Sequence, residues 1–224
     1  MPVTIPGLRR HPALPYVLPF FVFIGLLALQ QLVPIPVGLR FVISIAVILA
    51  VSRAPLRGAP SKPLLSILIG IGVFIIWVAP DLIAPWWHHT FLFDNALWRP
   101  VGSTLRISKT DPEFLLIRVA VSALAVPVLE ELFWRGWLMR WLIDSGHFER
   151  VPLGAYAPAA FWLTAILFAS EHGSFWDVGL AAGIVYNWWM IRTGNLWDCI
   201  LAHAVTNGIL AAYVILAGQW QYWL

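Results

Sequence analysis

The chain of 224 residues is 60% hydrophobic and 11% charged, with 14 Trp and 17 Pro, and its mean hydropathy is +0.81. A soluble domain carries about 25% charged residues, so the composition excludes water as the main solvent and describes a polytopic membrane protein. The formal net charge of +3 comes from basic residues in short loops, which excludes a nucleic-acid surface. The single cysteine, Cys199, excludes an internal disulfide.

In chain order, the apolar runs predict an all-α transmembrane helix bundle of seven to eight spans. It reads as one integral-membrane domain over 1–224, with N-terminal spans and a loop in 1–111 and polar motifs in 112–217. Residues 15–33 form the first run and end at Pro34 and Pro36. No small-residue cleavage site follows, so this is a retained helix and not a signal peptide. Residues 37–52 form the second, followed by Arg53, Arg57 and Lys62; residues 63–84 form the third. Residues 86–112 read as a loop with a short interfacial helix, where Trp86, Trp87 and Trp98 suit the headgroup zone. Residues 113–143 are long enough for one tilted span or for two pieces broken near Pro127. Residues 157–172, 176–191 and 196–217 complete the set, and the tail GQWQYWL reads as an aromatic belt.

Lys and Arg in short loops set the orientation. Arg9 and Arg10, then Arg53, Arg57 and Lys62, then Arg140 and Arg150, and then Arg192 all fall on one side of a seven-span bundle. That side is expected to be cytoplasmic, with the N-terminus. Arg99, Arg106 and Lys109 oppose this from the longest loop, where Asp94, Asp111 and Glu113 also sit. The expected partners are membrane lipid and a membrane-anchored or exported protein or peptide, with no nucleic acid.

The stretch VPVLEELFWRGWLMRWL, residues 126–142, sets charge inside an apolar run. A charge at the centre of a membrane helix costs roughly 2.5–3.5 kcal/mol on insertion scales, so it is paired, faces a cavity or is used. On a helix Glu131 and Arg135 share a face, with Glu on the favourable N-terminal side, and read as a buried brace. Glu130 is rotated by about 100° and has no local counter-charge. FASEH gives Phe168 and His172 at helical spacing, and HAVTN gives His203 and Asn207. The bland reading of the last pair is an interhelical hydrogen-bond clasp.

Helical rise places Glu130 about 15 Å from the basic end, His172 about 21 Å, His203 about 12 Å and Asn207 about 18 Å. All four share one layer of a hydrocarbon core about 30 Å thick. A polar cavity open to the cytoplasm is expected to hold them. A buried Glu beside His takes a proton from water and delivers it to a leaving amine. His and Asn donors stabilise the oxyanion of a tetrahedral intermediate. Glu130, His172 and His203 are also a zinc donor set, although no HExxH pair is present. Buried Glu and His serve proton-coupled transporters as well, but the chain lacks the repeat symmetry common in transporters.

EELFWR, FASEH and HAVTN resemble the EExxxR, FxxxH and HxxxN motifs of the CAAX-protease and bacteriocin-processing (Abi) family of glutamate-type intramembrane endopeptidases. The three motifs occur in the family's order over roughly 112–217. The resemblance implies that Glu130 and His172 activate water and that His203 and Asn207 form the oxyanion site. Glu131, Arg135 and Phe168 are then supporting residues, and no cofactor is required. YVLPF, TGNLWDCILAHAVTN and AGQW are similar to a narrower bacterial subgroup, the CAAX prenyl protease-related proteins that accompany exosortase systems. That similarity implies a bacterial inner membrane. A non-catalytic immunity or chaperone protein on the same fold is the remaining alternative.

Overall fold

The computed structural model describes residues 11–95 and 108–223. Arg9, Arg10, Trp98, Arg99 and Arg106 lie outside the described residues. Within them the chain forms seven α-helices and no strand: α1 Leu14–Leu29, α2 Val37–Val51, α3 Pro63–Ile83, α4 Pro112–Trp141, α5 Pro158–Ser170, α6 Trp176–Thr193 and α7 Leu196–Ala217. Their boundaries follow local chemistry. Proline, whose missing N–H is harmless in a first turn, opens α3, α4 and α5. Asp111 caps α4 by accepting from the N–H groups of Glu113 and Phe114, and Asn195 caps α7 by accepting from Trp197. Gly194 and Gly218, at φ 58° and 69°, stop α6 and α7 in the left-handed conformation that glycine adopts without strain.

Among the described residues three helices, α3, α4 and α7, are long and apolar enough to cross a membrane, with 21, 30 and 22 residues. At 1.5 Å per residue α4 is about 45 Å long and overruns the hydrocarbon core. Large apolar side chains such as Leu64, Leu68, Ile75, Leu116 and Leu124 point outward, as they must where lipid is the solvent. α3 and α7 form the most extensive pair. Gly70 permits their close approach, because a Cβ there would meet the Ala202 carbonyl and sit 2.8 Å from Val205 Cβ.

The run 113–143 is one continuous helix, not two pieces broken at Pro127. Its register widens twice, at Val121–Ala125 and at Leu132–Leu138. Such wide turns absorb a proline without a break. In the first, the Val126 N–H bonds the Val121 carbonyl five residues back. The next bond in that register would join Pro127 to Ser122, and Pro127 has no N–H. In the loop expected over 86–112, helical structure among the described residues is limited to the short turn Trp87–His89.

Loop contacts define two ends. At one, Ser52 Oγ donates to the Pro15 carbonyl (2.6 Å), Asn195 Nδ2 to Ala59 (3.0 Å) and Trp197 Nε1 to Leu56 (3.1 Å). Tyr16 meets Phe148 edge-on. Asp198, fully buried, accepts from Ser61 N (3.2 Å), Ser61 Oγ (2.5 Å), Lys62 N (2.8 Å) and Ser66 Oγ (3.1 Å), so a side chain of α7 caps α3. At the other end, His88 bridges two carboxylates, Asp81 through Nδ1 (2.6 Å) and Asp177 through Nε2 (3.1 Å). Tyr222 donates to the second oxygen of Asp81 (2.7 Å) and Trp87 to the second oxygen of Asp177 (2.8 Å). Burial disfavours the His88 charge, but the bonds to Asp177 and Asp81 outweigh it and raise the pKa above 6.5.

Asp198→Ala strips four donors of a buried acceptor. It is expected to destabilise the fold by roughly 3 kcal/mol or more, given about 1.5–3 kcal/mol per hydrogen bond to a charged group, measured as a lowered unfolding midpoint in detergent. The His88 bridge contributes stability fully below its unfolded pKa of about 6.5, and loses it as pH rises through the higher folded value. Amide exchange at Trp87–Thr90, corrected for base catalysis, should therefore accelerate through that range, and His88→Gln should abolish the step.

Candidate active site

Glu130, His172, His203 and Asn207 line one cavity of about 180 Å³, together with Ser122, Phe168, Tyr186 and Thr206. They arrive from α4, the turn after α5, and α7. His172, His203 and Asn207 are each held by a bond that the backbone or a neighbouring helix supplies.

Glu131 is fully buried, and its Oε1 accepts twice: from Arg135 Nη1 (3.0 Å) and from His203 Nδ1 (2.9 Å). The brace with Arg135 therefore has a third member. Arg135 also donates through Nε to Asn187 Oδ1 (2.9 Å) and through Nη2 to the Gly183 carbonyl (3.3 Å). Asn187 in turn donates to the Phe161 carbonyl (2.8 Å). The guanidinium lies 4.6 Å from the centre of the Phe168 ring and 5.4 Å from that of Tyr186, cation–π distances. The carboxylate neutralises the buried cation, and polar groups satisfy the rest of the fork.

The His203 ring is fixed twice. Its Nδ1 proton goes to Glu131, and its face stacks on Tyr186 at 5.1 Å and 24°. Tyr186 donates to Thr206 Oγ1 (2.7 Å), which donates to the Gly70 carbonyl (2.8 Å). His203 Nε2 then faces Glu130 Oε2 at 4.0 Å. That Glu130 oxygen is buried and has no hydrogen-bond partner among the described residues. With Nδ1 committed to Glu131, Nε2 is the ring nitrogen that faces the cavity.

α5 ends at Ser170, so His172 stands in the following turn and not on the helix that its spacing from Phe168 suggested. Its Nδ1 lies 2.8 Å from the Phe168 carbonyl. A carbonyl only accepts, so Nδ1 carries the proton and Nε2 presents a lone pair. The rings of Phe168 and His172 are 4.7 Å apart. FxxxH is thus a local unit: Phe168 sets the His172 tautomer with its backbone and supports Arg135 with its ring. Gly179 makes room for it, since a Cβ there would lie 3.0 Å from the imidazole.

Asn207 Nδ2 donates to the Ser122 carbonyl (2.8 Å), the acceptor left open by Pro127. His203 and Asn207 both clasp α7 to α4. Among the described residues no group of three His, Cys, Asp or Glu side chains is placed to hold a metal ion, so Glu130, His172 and His203 do not form a ready ligand set. Sequence reading passed over Tyr186, Asn187 and Thr206. The signal was present, because each is a polar residue within an apolar span.

The cavity does not open toward the basic loops. Trp77, Tyr222 and Trp223 line it, and Tyr222 belongs to the His88 end. The cavity was expected to open toward the basic loops; its lining places it nearer the opposite end of the bundle instead. α4 enters and α5 leaves on the opposite side, and the turn after α5 carries His172 there.

The profile of the family described as type II CAAX prenyl endopeptidase Rce1-like matches residues 112–209. Over those residues, somewhat less than half of the chain, the sequence is similar to that family. The Rce1-like segment runs from the first turn of α4 into α7 and carries Glu130, His172, His203 and Asn207. The cavity residues Trp77, Leu210, Tyr222 and Trp223 lie outside it. The description of that family is of a membrane endopeptidase of the CAAX type, and the likeness suggests the same class of activity for this segment. No curated protein and no solved structure matches the chain.

Glu131 and Glu130 should separate on mutation. Glu131→Ala strands Arg135 and is expected to cost about 3–5 kcal/mol. Glu130→Gln removes a carboxylate with no hydrogen bond to the protein among the described residues and only a 4.0 Å approach to His203, and should shift the unfolding midpoint little. Equal midpoints for the two variants would contradict this division.

Proposed function

We propose that the protein is a membrane-embedded endopeptidase that hydrolyses a peptide bond near the membrane-proximal segment of an anchored or exported protein. Glu130 and His172 activate water, and His203 with Asn207 forms the oxyanion site. The observation that carries this reading is the unpartnered Glu130 oxygen in a cavity shared with two imidazoles whose outer nitrogens are uncommitted.

Water donates one hydrogen bond to the Glu130 carboxylate and the other to His172 Nε2. Its oxygen attacks the carbonyl carbon while the proton passes to Glu130. The carbonyl electrons move onto oxygen, where His203 and the remaining Asn207 N–H receive them. Glu130 returns the proton to the leaving nitrogen, the C–N bond breaks, and a carboxylic acid and an amine result. No covalent intermediate forms and no cofactor takes part. We read residues 1–224 as one membrane domain of a bacterial inner membrane, with its N-terminus cytoplasmic.

Mass spectrometry of membrane and exported proteins from cells carrying wild type or Glu130→Gln tests the reading. Cleaved species should disappear in the variant, and normal processing would remove Glu130 from the mechanism. Asn207→Ala should lower kcat by about 10²–10³, the usual loss for one oxyanion donor, with KM little changed. Turnover should survive exhaustive chelation. Zinc bound one-to-one, lost together with activity and restoring it on return, would overturn the metal-free assignment.

A further inference from the structure

Above the Glu130 cavity lies a second space. A basin of about 1060 Å³ occupies the His88 end of the bundle. Trp77, His172 and Tyr222 line both the basin and the 180 Å³ cavity, so the two meet at the residue proposed to orient water. The smaller space has room for a peptide group and water. The larger is at the upper end of ligand-pocket volumes and has room for several residues of extended chain. Asp81 and Glu171 lend it polar walls, and Trp77, Phe175 and Tyr213 lend it aromatic ones. The Asp81–His88–Asp177 bridge and the Tyr222 bond to Asp81 brace its rim.

The basic residues collect at the other end. Arg53, Arg57, Lys62, Arg140, Arg150 and Arg192 lie in or beside the loops there, and Lys109 lies at the basin end, over the Trp220 ring. The sequence adds Arg9 and Arg10 just before α1, and Arg99 and Arg106 between the His88 loop and α4; with Arg40 and Arg118, near the starts of α2 and α4 at the basin end, the balance is eight against five. Lys and Arg in short loops stay in the cytoplasm, so the basin faces the opposite side.

We propose that the basin is the substrate vestibule, and that a polypeptide segment exposed on the non-cytoplasmic face of the membrane enters through it to reach Glu130. The proposal rests on the endopeptidase reading and fixes its substrate class: the cleaved segment is presented after export, not from the cytoplasm. The wall that admits it is built largely by residues outside the Rce1-like segment, among them Trp77, Tyr213 and Tyr222.

Thiol accessibility tests the route without relying on turnover. Cys199 is buried, so single cysteines can be read in the otherwise native chain. His89→Cys places one in the basin, Leu210→Cys one in the Glu130 cavity, and Ala54→Cys one at the basic end. A small, charged, membrane-impermeant thiol reagent is applied to sealed spheroplasts and to inside-out vesicles. His89→Cys and Leu210→Cys should react at least 10-fold faster in spheroplasts, and Ala54→Cys at least 10-fold faster in vesicles. Adding Ser174→Trp, which narrows the basin, should slow Leu210→Cys at least 10-fold and leave His89→Cys unchanged. Leu210→Cys reacting only from the vesicle side, reacting at the same rate behind Ser174→Trp, or refusing the reagent from both sides would overturn the proposal. Failure of the endopeptidase reading would show instead as unchanged processing by Glu130→Gln, with the labelling pattern intact.

Discussion

The structure is organised around one buried carboxylate. Glu131 has no access to solvent, and an uncompensated ion in that setting costs several kcal/mol. Its charge is tolerable only because Arg135 and His203 both donate to the same oxygen. Arg135 needs acceptors for its other nitrogens and finds Asn187 and Gly183 on α6. Asn187 reaches on to α5 through the Phe161 carbonyl. Satisfying one charge therefore fixes α4, α5, α6 and α7 in register. The same network aims His203 Nε2 at Glu130, so the groups that hold the bundle also orient the cavity.

Helix irregularity serves the same end. The wide turns of α4 flank the short segment Val126–Glu131 that carries both glutamates. Pro127 removes one donor from the first wide turn, and the Ser122 carbonyl accepts from Asn207 instead. A backbone defect on one helix thus anchors a polar side chain from another. His172 follows a parallel logic: α5 stops at Ser170, and the Phe168 carbonyl near that end holds the imidazole in one tautomer. In each case an unsatisfied backbone group, costly in an apolar bundle, is the handle that positions a side chain.

The two ends differ in kind. The basic end is tied by hydrogen bonds from α7 and its cap to the loop before α3, with Asp198 at their centre. The His88 end encloses a basin braced by two carboxylates, a histidine and a tyrosine. The Rce1-like segment supplies the polar constellation, and α3 and the C-terminal turn supply much of the wall that stands before it.

The sequence alone determined the all-helical membrane class, because a chain with 11% charge cannot present a solvated surface. It determined the helix boundaries at Pro112, Pro158, Gly194 and Gly218, because those residues act through local backbone geometry. It picked out Glu130, Glu131, Arg135, Phe168, His172, His203 and Asn207, because polar side chains in apolar runs stand out without any tertiary knowledge. The pairing of Glu131 with Arg135 was legible too, since it follows from helical spacing. Tertiary structure alone decided that His203 completes that pair, that Asn207 answers the carbonyl Pro127 leaves open, and that α4 passes Pro127 unbroken. It alone decided which end of the bundle the cavity faces. Those outcomes depend on how helices distant in sequence pack, and helical periodicity fixes the face of a side chain but not the neighbour it meets.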